Sequence, residues 1–369
     1  MCVCVRAALR GARPARLETQ AFHSRCPLPP LVVLFHPYEQ HAAVAFKDNF
    51  GIWDWGTGAK LCAGAWRPTW GRISSLAYLN AHARALLAVA SHQGNLAIYR
   101  PSESSSSAEP ALVSAWRALD VRPAADYRPP SAQPIYMGVG VSVGVGGGAG
   151  AAGAGGGYSP PPAGTLVRWS AARSSLALAG AAPTVRLWDA AAEMLAGDIN
   201  TECEAAATSL WRSESGAGEL VAGFGDGSVR AWDERAPAAA HALHHHTAPV
   251  LCAARRRDAH ALLTVCINGE VRIYDVRKLA AGEPVRAPGP LAAADVHPRA
   301  PLLACGSVNQ SISIYELKGG LLNTIKFHEG FMGARIGPVS CLAFHPLRCA
   351  MGVGAKDLTV SVYVSEARR

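Results

Sequence analysis

The chain has 369 residues, half of them hydrophobic, and a formal net charge of +8. That is enough apolar material for one large all-β domain or two smaller domains, and it excludes a small disulfide-stapled scaffold. Ten cysteines are scattered without a CxxC pair, most of them in apolar runs, as reduced buried thiols are, which points to a reducing compartment, cytosol or nucleus.

The first 30 residues hold Arg6, Arg10, Arg13, Arg16 and Arg25 against one acid, Glu18, and so carry half of the net charge. The body is only mildly basic, which argues against a nucleic-acid partner. The opening resembles a mitochondrial transit peptide, yet nothing downstream suits an organelle enzyme, so residues 1–16 read as a disordered basic leader. No run of about 18 strongly apolar residues occurs, and direct membrane insertion is not expected. Next comes LETQAFH (17–23), whose Leu17, Thr19, Ala21 and His23 alternate with Glu18, Gln20 and Phe22, a weak but strand-compatible pattern.

From there one motif recurs: a turn, then alternating apolar residues that end in an aromatic, often followed by an acid. It appears as FGIWDW (50–55), GNLAIYR (94–100), TVRLWD (184–189), SVRAWD (228–233), EVRIYD (270–275), SISIYE (311–316) and TVSVYV (359–364). The aromatics are Trp53, Tyr99, Trp188, Trp232, Tyr274, Tyr315 and Tyr363, and all but one interval fall between 41 and 48 residues. A period of about 40 to 45 residues is that of four-stranded propeller blades. Tight turns precede the motif, with Asp226-Gly227 and Asn268-Gly269 the strongest hairpin signals. FHPYEQHAAVA (35–45), VHPRAPLLACG (296–306) and FHPLRCAMGVG (344–354) place His36, His297 and His345 at one equivalent corner, a structural rather than a catalytic role.

The exceptional interval, 89 residues from Tyr99 to Trp188, reads as one blade with an insertion at 102–163 rather than as two blades. That stretch contains PSESSSSAEP and GVGVSVGVGGGAGAAGAGGGYSPPPAG, which cannot bury enough apolar area to offset its ordering entropy. Disorder is expected there, and deletion of residues 138–157 should leave the fold intact. Ser102 and Ser104 to Ser107 are available for phosphorylation, although solvated linker is the simpler reading.

Other signals are weaker. GAGAAG (148–153) matches a dinucleotide fingerprint only formally, without flanking strand or helix. HALHHHTAP (241–249) has no cysteine or acid at ligand spacing, so a histidine that braces the strands is expected rather than zinc. Arg255, Arg256 and Arg257 form the body's one basic run and read as a solvated hairpin loop. No phosphate-binding loop, GxSxG elbow or HExxH occurs, and no local signature assembles a catalytic site. No cofactor, metal or small-molecule substrate is expected.

The repeat resembles that of WD-repeat β-propellers, and a seven-bladed all-β propeller over residues 17–365 follows, with 366–369 as a tail. LLACGSVNQSISIYE (302–316), LLNTIKFHEGFMGARIGPVSCLAFHP (321–346), FHPYEQHAAVA (35–45) with IWDWGTGAKL (52–61), and VCINGEVRIYD (265–275) closely resemble the C-terminal propeller of the Raptor family. The resemblance spans residues 31–365 apart from 123–163. It implies a non-enzymatic scaffold or adaptor in nutrient-responsive signalling by TOR complex 1, with components of that complex as protein partners. It also implies a cytoplasmic location with recruitment to the lysosomal surface. The family's caspase-like domain and helical repeats are not in this sequence. WDER (232–235) and YDVR (274–277) support an alternative, a substrate receptor of a cullin-type ubiquitin ligase that uses WDxR motifs.

GFMGARIGPVSCLAFHP (330–346) is the most distinctive stretch, with apolar residues in a loop where polar ones are usual. Phe331, Met332 and Arg335 are therefore the candidate partner contacts, Phe331 partly packed and Arg335 free. Finally, too few residues follow Tyr363 to complete a fourth strand in the last blade. LETQAFH is expected to dock there as the missing outer strand, so that chain start and chain end share one sheet.

Overall fold

Period-two alternation broken by tight turns makes each repeat fold as an antiparallel sheet. The computed structural model describes residues 16–101, 109–122, 164–236, 239–256, 258–278, 280–329 and 333–365. A strand β1 (Thr19–Arg25) comes first. Blade 1 is β2 (Val32–Phe35), β3 (His41–Ala45), β4 (Asn49–Asp54) and β5 (Lys60–Ala65). Blade 2 is β6 (Ile73–Leu79), β7 (Leu86–Ser91), β8 (Asn95–Arg100) and β9 (Ala111–Arg117). Blade 3 is β10 (Leu166–Ser170), β11 (Ser175–Ala179), β12 (Thr184–Asp189) and β13 (Met194–Asn200). Blade 4 is β14 (Ala207–Arg212), β15 (Glu219–Phe224), β16 (Val229–Asp233) and β17 (Ala239–Leu243). Blade 5 is β18 (Val250–Arg256), β19 (Ala261–Cys266) and β20 (Glu270–Asp275), with an outer edge in two pieces, β21 (Ala280–Ala281) and β22 (Val285–Arg286). Blade 6 is β23 (Leu291–Val296), β24 (Leu302–Ser307), β25 (Ser311–Glu316) and β26 (Leu321–Ile325). Blade 7 is β27 (Val339–Phe344), β28 (Ala350–Ala355) and β29 (Thr359–Val364), completed by β1. No helix among the described residues is long and apolar enough to cross a membrane.

The first strands of the blades touch in sequence around a ring, and β27 of blade 7 meets β2 of blade 1. The apolar core lies between neighbouring sheets rather than at one centre, one cluster for each interface. The seven repeat aromatics all fall on third strands. Six are buried, whereas Trp188 is half-buried against Trp116, its indole N–H donating to Ala118 O at 3.0 Å. The hairpin glycines are required where sequence placed them. At Gly227 (φ +88°) a Cβ would meet His246 O at 2.2 Å, and at Gly269 (φ +85°) it would meet Ala287 O at 2.3 Å.

Bulges repeat with the blades. Opposite the third-strand aromatic the outer strand carries one extra residue in blades 1, 2, 3, 4 and 6. Blade 7 has the same bulge, supplied by β1: Gln20 pairs with Tyr363 and Phe22 with Val362, leaving Ala21 unpaired. The N-terminal segment thus completes the last blade as expected, and its bulge explains why simple alternation over 17–23 is imperfect. Leu17, which has a φ of 51°, is fully buried between blades 6 and 7, while Phe22 and Cys26 enter the core between blades 7 and 1. A second bulge in the first strand frees a hydroxyl that reaches the next blade. Ser74 donates to Thr165 O (2.8 Å), Thr208 to Val250 O (2.5 Å) and, across the closure, Ser340 to Pro30 O (2.6 Å).

The three corner histidines are equivalent. Each Nδ1 accepts two backbone N–H groups of its own turn, from Tyr38 and Glu39 for His36, Arg299 and Ala300 for His297, and Leu347 and Arg348 for His345. Burial lowers the pKa of all three, to about 4 for His297 and about 3 for His345, so the rings are neutral acceptors. No disulfide joins the eight described cysteines, and all but Cys203 are buried.

Two expectations need correction. The insertion at 102–163 is not one block, because residues 111–117 within it form β9, the outer strand of blade 2, and Leu119 is fully buried behind it. The serine-rich run before ALVSAWR hid a strand that the sheet needs to match its neighbours. Residues 102–108 and 123–163, with their serines and the GAGAAG run, lie outside the described residues, as do residues 1–15 of the leader expected over 1–16 and the tail 366–369. The arginine run is not a solvated loop either. Arg255 and Arg256 end β18, where Arg255 pairs with Glu219 (2.5 Å). The Arg256 guanidinium is buried, bonding Asp258 Oδ1 (2.9 Å) and His297 O (2.9 Å) of blade 6. Arg257 lies outside the described residues.

Candidate protein-interaction surface

Backbone contacts hold the base of the loop that joins β26 to β27. Phe327 and Arg335 form a bridge, His328 N donates to Ala334 O (2.9 Å) and Ile336 N to Lys326 O (3.0 Å). Ile336 is buried in the core between blades 6 and 7. At Gly337 the N–H donates to Asp357 Oδ2 (2.9 Å), and a Cβ would lie 2.5 Å from the Asp357 carboxyl carbon, so a side chain at 337 would displace that carboxylate.

The N-terminal strand holds the same loop from its other side. Gln20 N donates to Glu329 Oε2 (2.7 Å) and Glu329 N to Gln20 Oε1 (2.8 Å), a reciprocal pair across 309 residues of sequence. The rings of His23 and His328 lie 4.6 Å apart, and His328 Nε2 is 3.9 Å from Asp357 Oδ2. Desolvation first, then the neighbouring His328, lowers the pKa of His23. Closing the ring and positioning the loop are therefore one event, carried by β1.

From this base the loop exposes apolar and cationic groups. Phe327 is 61 % exposed, and Arg335 is exposed with a 3.5 Å contact to Asn309 O. Aromatic and arginine side chains on a rigid frame are the composition of protein-binding hot spots. Of the three residues singled out in sequence, Arg335 is exposed in this loop, while Phe331 and Met332 lie outside the described residues. Phe327 was missed because it follows Lys326 at a strand end, where an aromatic ordinarily reads as core.

The other candidate features separate from this surface. Asp233 and Arg235 pair with each other (Nε to Oδ1 2.8 Å), as do Asp275 and Arg277 (3.0 Å), at the ends of β16 and β20. The hydrogen bonds from Arg277 hold the Asp275 carboxyl down at about 2, and Arg235 lowers Asp233 likewise. Both arginines are thus occupied by their own motif. Between Asp233 and Arg235, the buried side chain of Glu234 binds Arg212 (2.6 Å) and Arg173 (3.2 Å), a link between blades 3 and 4 that the sequence does not single out. His246 braces blade 5 through Thr264 Oγ1 (2.7 Å), as a strand-bracing histidine should.

Seven antiparallel sheets in a closed ring, a repeat aromatic on each third strand and a shared last sheet for both chain ends define a seven-bladed WD-repeat β-propeller. Within that class the chain is similar to Raptor proteins. It is 26 % identical over 345 residues to the protein raptor homolog of Dictyostelium discoideum, covering 90 % of this chain and 20 % of that protein. It is 25 % identical over 345 residues to target of rapamycin complex 1 subunit mip1 of Schizosaccharomyces pombe, covering 90 % of this chain and 23 % of that protein. The crystal structure of Chaetomium thermophilum Raptor shows the same fold, with a TM-score of 0.79 at 24 % identity over 99 % of this chain and 30 % of that one. No family model matches. The chain spans about a fifth of the length of these curated relatives.

Proposed function

We propose that this chain is a non-catalytic scaffold or adaptor module of TOR complex 1, which contributes to nutrient-responsive TOR kinase signalling through protein–protein contacts. The observation that carries the reading is the loop locked onto β1, with Phe327 and Arg335 exposed, in a propeller similar to subunits of that complex. Components of the TOR kinase complex are its proposed partners. The cytoplasm, with recruitment to the lysosomal surface, is its proposed location, on the family resemblance alone.

Arg335→Glu tests the surface, because the residue is exposed and its reversal leaves the inter-blade cores untouched. Tagged full-length protein carrying the substitution should recover TOR and its small WD-repeat partner less well than the parent, with an unchanged melting temperature. Equal recovery would remove Arg335 from the contact. Co-purification of cullin-ligase components in place of TOR would favour the WDxR reading over this one.

A further inference from the structure

Blade 5 brings together three ligand-type side chains that lie 20 and 4 residues apart in sequence. One donor atom from each of His246, Cys266 and Glu270 falls within 4.8 Å of the other two. His246 leads into β18, Cys266 ends β19 and Glu270 opens β20, so the turn centred on Asn268-Gly269 builds the group.

Each of the three is oriented by a separate partner that leaves one atom unused. The Nε2 of His246 bonds Thr264 Oγ1 at 2.7 Å. Glu270 Oε1 accepts from Arg272 Nε at 2.7 Å and lies 2.6 Å from Nη2. Burial raises the pKa of the Cys266 thiol, and the backbone N–H groups of Glu270 and Asn268, which its sulfur accepts, offset part of that rise. What remains is His246 Nδ1, Glu270 Oε2 and the sulfur. Nδ1 is buried without a hydrogen-bond partner, in a side chain 1 % exposed, and its 3.6 Å separation from Glu270 Oε2 is too long for a hydrogen bond. A buried imidazole nitrogen left unpaired is costly, and ligands fixed by such outer partners are the usual architecture of a protein metal site.

The turn itself does not require a thiol. Ser91 and Ser307 end the equivalent second strands of blades 2 and 6, and their hydroxyls accept turn N–H groups in the same way, from Gln93 and Asn95 and from Asn309. A serine would serve blade 5 equally well for folding.

We propose that His246 Nδ1, Cys266 Sγ and Glu270 Oε2 bind a zinc-type divalent cation. One nitrogen, one thiolate and one carboxylate suit Zn²⁺ or Co²⁺, with the fourth tetrahedral position left to solvent. Binding forms the metal–sulfur bond and releases the thiol proton to solvent, and the thiolate and carboxylate balance the two positive charges. Exposed His244 and His245 immediately precede His246, so the cluster lies just under the surface.

Titrating the purified 369-residue chain with Co²⁺ tests the site. One equivalent should produce thiolate-to-cobalt charge-transfer absorption with tetrahedral ligand-field bands, and Zn²⁺ should abolish both. Cys266→Ser should melt as the parent does, because serine already fills this position in two blades, yet lose the charge-transfer band. Glu270→Gln should weaken Co²⁺ binding by more than about tenfold. Absence of bound Co²⁺, or an unchanged charge-transfer band in Cys266→Ser, would overturn the proposal.

Discussion

Blades 5 and 7 finish their sheets in opposite ways. The outer edge of blade 5 follows directly in sequence, yet it is two fragments of two residues each, interrupted by Gly282 and Pro284. The outer strand of blade 7 comes from the far end of the chain, yet β1 is continuous over seven residues and pairs with β29 from Thr19 to Arg25. The difference follows from what each edge must do. In blade 5 the outer edge caps a sheet whose inner strands already join it to its neighbours. In blade 7 it ties the two chain ends together, seats Leu17, Phe22 and Cys26 in two different cores and holds the Glu329 loop. Without it β29 would present an open edge.

Removing β1 should therefore be the most damaging change. Deletion of residues 1–26 discards the burial of Leu17 and Phe22, each worth about 1.5–3 kcal/mol, and opens the ring, whereas deletion of 1–14 stops short of both. Thermal melting and light scattering should show lower stability and aggregation for the longer deletion only. Next in size is a contrast between two repeat tryptophans. Trp232→Ala should cost about 3–5 kcal/mol, because that ring is buried in the core between blades 3 and 4. Half-buried Trp188 should cost about half as much when replaced by alanine. Equal losses in urea unfolding would show that the two rings are packed alike.

Acid should weaken the closing sector, since the corner histidines belong to blades 1, 6 and 7. Burial places His297 and His345 at about 4 and about 3, below the 6.5 of an unfolded imidazole. Between those values the unfolded chain binds protons that the folded chain refuses, so stability is complete above pH ~6.5 and falls towards pH ~4. Asp295, raised by burial from 3.8 to about 6, acts in the opposite sense over part of that window, but two histidines outweigh one carboxyl. The urea midpoint should be lower at about pH 4.5 than at neutrality, and replacing His345 with glutamine should flatten the difference. At the small end, Val285→Ser in the broken edge of blade 5 should cost about 1 kcal/mol or less, measured by the same unfolding.

Much of this was legible in the sequence because the repeat writes the same physics seven times. The turn glycines, the third-strand aromatics and the histidine corners each recur, so their roles could be read from spacing. The closing strand was legible for a different reason: the last repeat lacked room for a fourth strand, and one segment was unassigned. Illegible features were those that repeat in no simple period. β9 sits behind a serine run, Arg256 and Glu234 look like surface charges but pair across blades, and Cys266 reaches His246 only because a hairpin returns the chain. At the candidate surface, the loop that carries Arg335 stands out in the sequence by its apolar composition. The exposure of Phe327 depends on where β26 ends, which alternation does not define.

Hydrogen exchange of the peptide covering Thr359 to Val364 tests the central role of β1 most directly, because that strand lies between β28 and β1. Slow exchange is expected in the intact chain and after deletion of residues 1–14, with clearly faster exchange after deletion of 1–26. Identical protection in all three proteins would contradict closure by the N-terminal strand.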